Sequence, residues 1–261
     1  MSIWMTNLRA PGDRILASQE KTDIPSMLYQ TWFEKRVHRL FMHHLHKFWD
    51  LNPELQIKLF DDNECDAFMA EHWGNHPIYR VYRGAQFGPL KIDIFRYCLI
   101  YTHGGYYCDI SKGVLTRWTA LHPSDASGVV SYEKNEFLLP VTDEETHALT
   151  HPHHFVCNWA FGFAPRHPFL LSVIDKIVAL SPQYDGVVFE QVKPAIVTFT
   201  GPGVFTHCFH AYVVAGTEPK VHESGINFHG YGKMNLRGSR LRFLRRRSYK
   251  KIQGQRILIM D

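Results

Sequence analysis

The segment Gly88–His103 constrains this chain more than any other. It reads Gly-Pro-Leu-Lys-Ile-Asp-Ile-Phe-Arg-Tyr-Cys-Leu-Ile-Tyr-Thr-His. Pro89 fits the first turn of a helix, and Gly104-Gly105 fits its end. The helix is apolar on most sides, so it is expected to lie inside the molecule. Two charges, Asp93 and Arg96, stand three apart within it and share a face. Buried charge is tolerated only when it is paired or used. One reading is an internal ion pair that fixes the helix. The other is a pair facing a polar ligand, with Arg96 holding phosphate or sugar hydroxyls and Asp93 accepting from hydroxyls.

Gly104-Gly105-Tyr106-Tyr107-Cys108-Asp109-Ile110-Ser111 follows directly. Two glycines let the backbone turn sharply after a helix. Tyr106–Ser111 then reads as a strand. Asp109 and Ser111, two apart, would face the same side and could share a hard divalent cation, Mg²⁺ or Mn²⁺. An Asp-x-Ser alone carries little, since strand ends often hold Asp and Ser in turns.

Further strands are expected at Met27–Phe33, Ile57–Phe60, Val114–Arg117, Gly128–Tyr132 and Trp159–Ala164. Helices are expected at Arg39–Asp50, from an Asp61 or Asp62 cap to about Trp73, at Pro168–Leu180 and at Phe205–Val214. Strands alternating with helices predict an α/β fold.

The run Lys91-Ile92-Asp93-Ile94-Phe95-Arg96-Tyr97, then Leu99-Ile100-Tyr101, then Gly104-Gly105-Tyr106-Tyr107-Cys108-Asp109, resembles the sugar-binding region of glycosyltransferase family 32. Ile24-Pro25 through Tyr29-Gln30-Thr31-Trp32 is similar to that family's opening strand. Trp49, Asn52-Pro53, Phe60-Asp61-Asp62, the stretch from Asn158 to Phe169, and Thr200-Gly201-Pro202 follow in the family's order. The resemblance implies a GT-A-type nucleotide-sugar-binding domain, with a mixed central sheet flanked by helices. It implies a UDP- or GDP-sugar donor and transfer with retention of configuration. It places Asp93, Arg96 and Asp109 as catalytic groups. Gln30, Thr31, Trp32, Gly105, Tyr106 and Asn158 fall at the donor, with Trp32 near its base. A divalent cation, Mn²⁺ or Mg²⁺, would lie on Asp109, Ser111 and His229. The chain departs from the family pattern at Ser111, where Asp-x-Asp has its second acid. A neutral hydroxyl binds a cation less strongly than a carboxylate.

Charge divides the chain. The whole carries 29 Lys+Arg against 25 Asp+Glu. Residues 237–261 hold nine basic residues and one acid, a net +8, which leaves −4 on the rest. The expected organisation is a loose segment over residues 1–23, the α/β domain over 24–236 and a basic segment over 237–261. The basic run, interrupted by Leu241, Phe243, Leu244 and Tyr249, suits an anionic membrane surface. A solvated terminus is the simpler reading, and no specific nucleic-acid partner is expected. Five cysteines without a Cys-x-x-Cys pair argue against a disulfide framework or a zinc-thiolate site. No apolar run reaches the roughly 18–20 residues that cross a bilayer. No secretory leader is visible. A cytoplasmic protein is expected, held peripherally at the inner membrane face by its tail.

Other chemistries lack their patterns. His43-His44-x-His46 and His151-Pro152-His153-His154 have no His-Glu-x-x-His. There is no Gly-x-Ser-x-Gly elbow and no Walker-type loop. The expected function is therefore a retaining transferase. It would move a sugar from a nucleotide-sugar donor to a glycan, polysaccharide or lipid-linked acceptor. The alternative is a catalytically degenerate nucleotide- or carbohydrate-binding relative, with Ser111 as its sign.

Overall fold

The computed structural model describes residues 5–11, 22–136, 139–244 and 252–260. A seven-stranded mixed sheet divides two apolar layers. Its order is His222–Ile226, Gly128–Glu136, Ala160–Phe163, Gly105–Cys108, Met27–Thr31 and Gln56–Phe60, with His154–Val156 paired to Gly128–Glu136 off that path. Met27–Thr31 is parallel to both its neighbours, while Ala160–Phe163 is antiparallel to both of its own. This is the expected α/β architecture.

Alternation along Gly105–Cys108 sends Tyr107 into one layer and Tyr106 into the other. The Tyr107 layer holds the Gly88–His103 helix, the Pro168–Leu180 helix and the Pro202–Val214 helix. The opposite layer holds the Arg39–Asp50 helix with Phe41, Leu45, Phe48 and Trp49 buried. The central helix Gly88–His103 buries nine residues, among them Asp93 and Arg96. Its all-round apolar pattern is thus the pattern of a helix enclosed by others.

The turn from that helix to the sheet requires both glycines. Gly104 has φ of 67° and Gly105 φ of 99°. A Cβ on Gly104 would lie 2.6 Å from the Pro165 ring, and one on Gly105 would lie 2.7 Å from the Met27 carbonyl. The glycines therefore bring Tyr107 and Asp109 down beside the helix face that carries Asp93 and Arg96.

Several expectations shift. The strand ends at Cys108, not Ser111. Asp109 N–H still donates to the Trp159 carbonyl at 2.7 Å, but its own carbonyl accepts from Lys112 N–H at 2.8 Å, which closes a turn. Asp109 and Ser111 thus share a turn rather than a strand face. Of the expected Val114–Arg117 strand only Val114 forms, as part of Gly113–Val114 paired with Gly232–Lys233. The last helix starts at Pro202, since Gly201 and Pro202 supply its start. Helices Pro77–Gly84 and Val192–Phe199 were not anticipated.

The terminal segments are built into the fold. Met5–Asn7 pairs with Arg36–His38 and Leu8 is buried, because the segment covers the Arg39–Asp50 layer. Gln253–Arg256 pairs with Val188–Gln191, and Ile257 and Leu258 are fully buried. Their apolar side chains fill the core beside Tyr82 and Phe199, so the basic segment has a structured end. Residues 245–251, the densest part of the basic run, lie outside the described residues, and with them most of the expected membrane-facing surface. No helix among the described residues is long and apolar enough to cross a membrane.

Gly105→Ala should lower unfolding free energy by about 2 kcal/mol or more, since it adds a Cβ at positive φ against backbone. Urea titration measures it, and a loss below about 0.5 kcal/mol would contradict the tight approach.

Candidate functional site

Arg96 is 5% exposed, and every nitrogen of its guanidinium has a partner. Its Nε donates to the Ile92 carbonyl at 3.2 Å, and one terminal nitrogen donates to the Asn158 carbonyl at 2.7 Å. The other terminal nitrogen is 3.2 Å from Asp93 Oδ1 and 3.2 Å from Asp109 Oδ1. The face of the group lies 4.7 Å from the Tyr107 ring centroid. A planar fork with five N–H groups suits this demand, and a lysine could not meet it. The helix, the strand end and the Asn158 loop are thereby joined at one cation.

Asp93 is 7% exposed and also accepts from Asn158 Nδ2 at 3.1 Å and from the Thr200 hydroxyl at 3.2 Å. Burial pushes its carboxyl up to about 7, even though Arg96 pulls it down. Asp109 stands at the open edge, with a quarter of its side chain exposed. Arg96 and Lys112 hold its carboxyl below the usual value against the cost of burial. Tyr107 hydroxyl donates to Asp109 Oδ1 at 3.2 Å, and Lys112 Nζ is 3.5 Å from Oδ2. Glu133, pushed up by burial, faces both Lys112 and Asp109. The Asp93–Arg96 pair is thus the internal ion pair, and Asp109 is the carboxylate it presents. The group sits at the carboxyl ends of Gly105–Cys108 and of its parallel neighbour Met27–Thr31. That is where open α/β sheets bind ligands.

Of the residues expected here, Asp93, Arg96, Asp109 and Asn158 meet directly. Thr31 reaches the group through its hydroxyl, 3.0 Å from the Tyr107 hydroxyl. Gln30 is fully buried. It donates to the Cys108 carbonyl and accepts from the Trp49 indole at 2.7 Å, so it fixes the strand end rather than facing a donor. Tyr106 is on the wrong sheet face, with its ring against Trp118 and its hydroxyl 2.7 Å from His122. Gly105 contributes its conformation. Trp32 lies one residue past the Met27–Thr31 strand, its ring 5.4 Å from Phe41 and its indole N–H on the Arg36 carbonyl. Ser111 is in the turn, where its carbonyl accepts from Leu236 N–H. His229 is exposed, and its ring lies over Gly225. Tyr107, Lys112, Glu133 and Thr200 belong to the site but were not singled out from sequence. The signal for Lys112 was its place three residues after Asp109.

The expected cation site does not fit these residues. Both oxygens of Asp109 are already committed to cationic partners, Oδ1 to Arg96 and Oδ2 to Lys112. The second donor of the turn is a neutral hydroxyl, and hard cations favour carboxylate oxygens. Among the described residues no three His, Cys, Asp or Glu side chains come together as a metal site.

Residues 38–128 match the family described as a glycosyltransferase sugar-binding region containing a DXD motif. An initiation-specific alpha-1,6-mannosyltransferase of Candida albicans is 26% identical over 215 residues, 74% of this chain and 54% of that protein. Inositol phosphoceramide mannosyltransferase 1 of Schizosaccharomyces pombe is 24% identical over 212 residues, 80% of this chain and 58% of that protein. The chain spans about half the length of these curated relatives. The solved PaToxG glycosyltransferase superimposes with a TM-score of 0.54 at 14% identity, over 73% of this chain and 70% of that one, which shows a shared fold.

Arg96→Met should cost about 3–5 kcal/mol at pH 8, because it leaves the enclosed Asp93 carboxylate without its cation and takes one of the two cations from Asp109. Asp93 has a folded value raised to about 7, above its ordinary one, so it carries its proton in the folded protein at pH 5. The loss should therefore be smaller at pH 5 than at pH 8. Urea unfolding at both pH values measures it, and an equal loss would contradict the paired-carboxylate account.

Proposed function

We propose that this chain, whose residues 38–128 match a glycosyltransferase sugar-binding region containing a DXD motif, transfers a hexose from a nucleoside-diphosphate donor to a glycan or lipid-linked acceptor. The carrying observation is the Asp93–Arg96–Asp109 group, closed on the inside by Asn158 and open at Asp109. The relatives' names favour mannose as the sugar. The same names, one an inositol phosphoceramide mannosyltransferase, favour an acceptor with free sugar or polyol hydroxyls.

The chemistry follows from the arrangement. The bond from the sugar's anomeric carbon to the donor phosphate breaks, and its electron pair leaves with the diphosphate. The acceptor hydroxyl forms the new bond, and its proton leaves with the departing phosphate. In the retaining course the acceptor arrives on the face the diphosphate vacates. Asp109, ionised and quarter-exposed, accepts from donor-sugar hydroxyls and steadies the positive charge that grows at the anomeric carbon. Arg96 aims that carboxylate from behind, and Asp93 and Asn158 keep Arg96 in place. Preorganised charges of this kind need no rearrangement when the bond breaks.

Asp109→Asn should lower turnover about 100-fold or more while leaving unfolding cooperative. The assay is nucleoside-diphosphate release across GDP-mannose, UDP-glucose, UDP-galactose and their N-acetylated forms, with candidate acceptors. An Asp109→Asn variant with undiminished turnover would remove Asp109 from the reaction. A wild-type protein that binds these donors but never turns them over would favour the degenerate binder, the reading that Ser111 supports.

A further inference from the structure

Lys112 is a cation that the expected site had no place for. Its ammonium lies 3.5 Å from Asp109 Oδ2 and 4.7 Å from the centroid of the Trp159 ring. Trp159 is itself buried, so the lysine stem runs along a fixed aromatic face. The turn closed by Lys112 N–H on the Asp109 carbonyl at 2.8 Å sets its starting point. The side chain is 19% exposed, so the charge is held but its outer side is reachable. Asp109 is then flanked by Arg96 within and Lys112 without. A divalent cation approaching Asp109 would meet the repulsion of an ammonium already beside it, and the turn offers it only a serine hydroxyl as a second donor.

We propose that Lys112 supplies the fixed positive charge that receives the donor's diphosphate, so that this chain binds its nucleoside-diphosphate donor without a divalent cation. The inference rests on the reading of this site as the donor pocket. An ammonium offers three rotatable donors to phosphate oxygens and needs no octahedral set of ligands. The same charge balances the leaving diphosphate when the glycosidic bond breaks. Ser111 fits this arrangement, since Asp109 and Glu133 already face the ammonium and a further carboxylate in the turn would draw more of its charge.

The test is calorimetric titration of GDP and of UDP into the full chain, in excess EDTA and in excess Mn²⁺. The better-bound nucleotide should have the same affinity in both buffers, within about threefold. Lys112→Met, which keeps the stem on Trp159, should weaken it about tenfold or more. Lys112→Arg should restore most of that loss. Binding by the wild-type protein that disappears in EDTA and returns with Mn²⁺ would overturn the inference while leaving the donor pocket intact. That result does not depend on how any variant folds. Equal affinity of Lys112→Met and wild type would also overturn it. No binding of either nucleotide in either buffer would overturn the donor-pocket reading itself, and the inference with it.

Discussion

The Arg96 guanidinium is the interaction on which the rest of this site depends. It joins a carboxylate on the central helix, a carboxylate just past the central strand and a main-chain carbonyl at Asn158. Asp93 and Asn158 are enclosed, and Asp93 would be costly without it. The surrounding sheet serves that meeting. Gly104 and Gly105 swing the strand beneath the helix, Gln30 holds the strand's last carbonyl, and the Tyr107 ring packs against the guanidinium. The site is therefore a consequence of one helix-to-strand turn and the charges on either side of it.

The turn and its charges were legible in the sequence. An apolar helix with Asp93 and Arg96 on one face, then two glycines and Asp109, has few ways to satisfy its buried charge. The pairing of Asp93 with Arg96 follows from their spacing. That Arg96 also reaches Asp109 does not, because it depends on how strand and helix cross. The same limit explains the residues that were misplaced. Gln30 looks like a polar group at a strand end, yet its amide is spent inside the protein. Tyr106 and Tyr107 are neighbours in sequence, but the period of the strand gives them opposite faces, and only Tyr107 meets the site. Leu8 sits in a segment that reads as loose, and Ile257 and Leu258 in one that reads as a basic terminus, and their burial arises only once distant elements are assembled.

With Ser111 where an acid was expected, the turn carries one carboxylate, Asp109, rather than two. At the edge Asp109 and Glu133 both face Lys112, and Arg96 lies behind Asp109. On the proposal made above, Lys112 is the charge that meets the donor's diphosphate. A transferase needs positive charge at the leaving group, and the source of that charge is open to variation in a fold that fixes only its position. The shared fold with a known glycosyltransferase and the relation to yeast mannosyltransferases describe the frame. The side chains of this chain decide how the frame is used.

A crystal structure of the chain with a hydrolysis-resistant nucleoside-diphosphate sugar tests the account most directly. The account predicts the sugar hydroxyls on Asp109, the diphosphate against Lys112, and Arg96 still bridging Asp93 and Asp109. A donor bound elsewhere, or one seated here with its diphosphate turned away from Lys112 and Asp109 untouched, would contradict it.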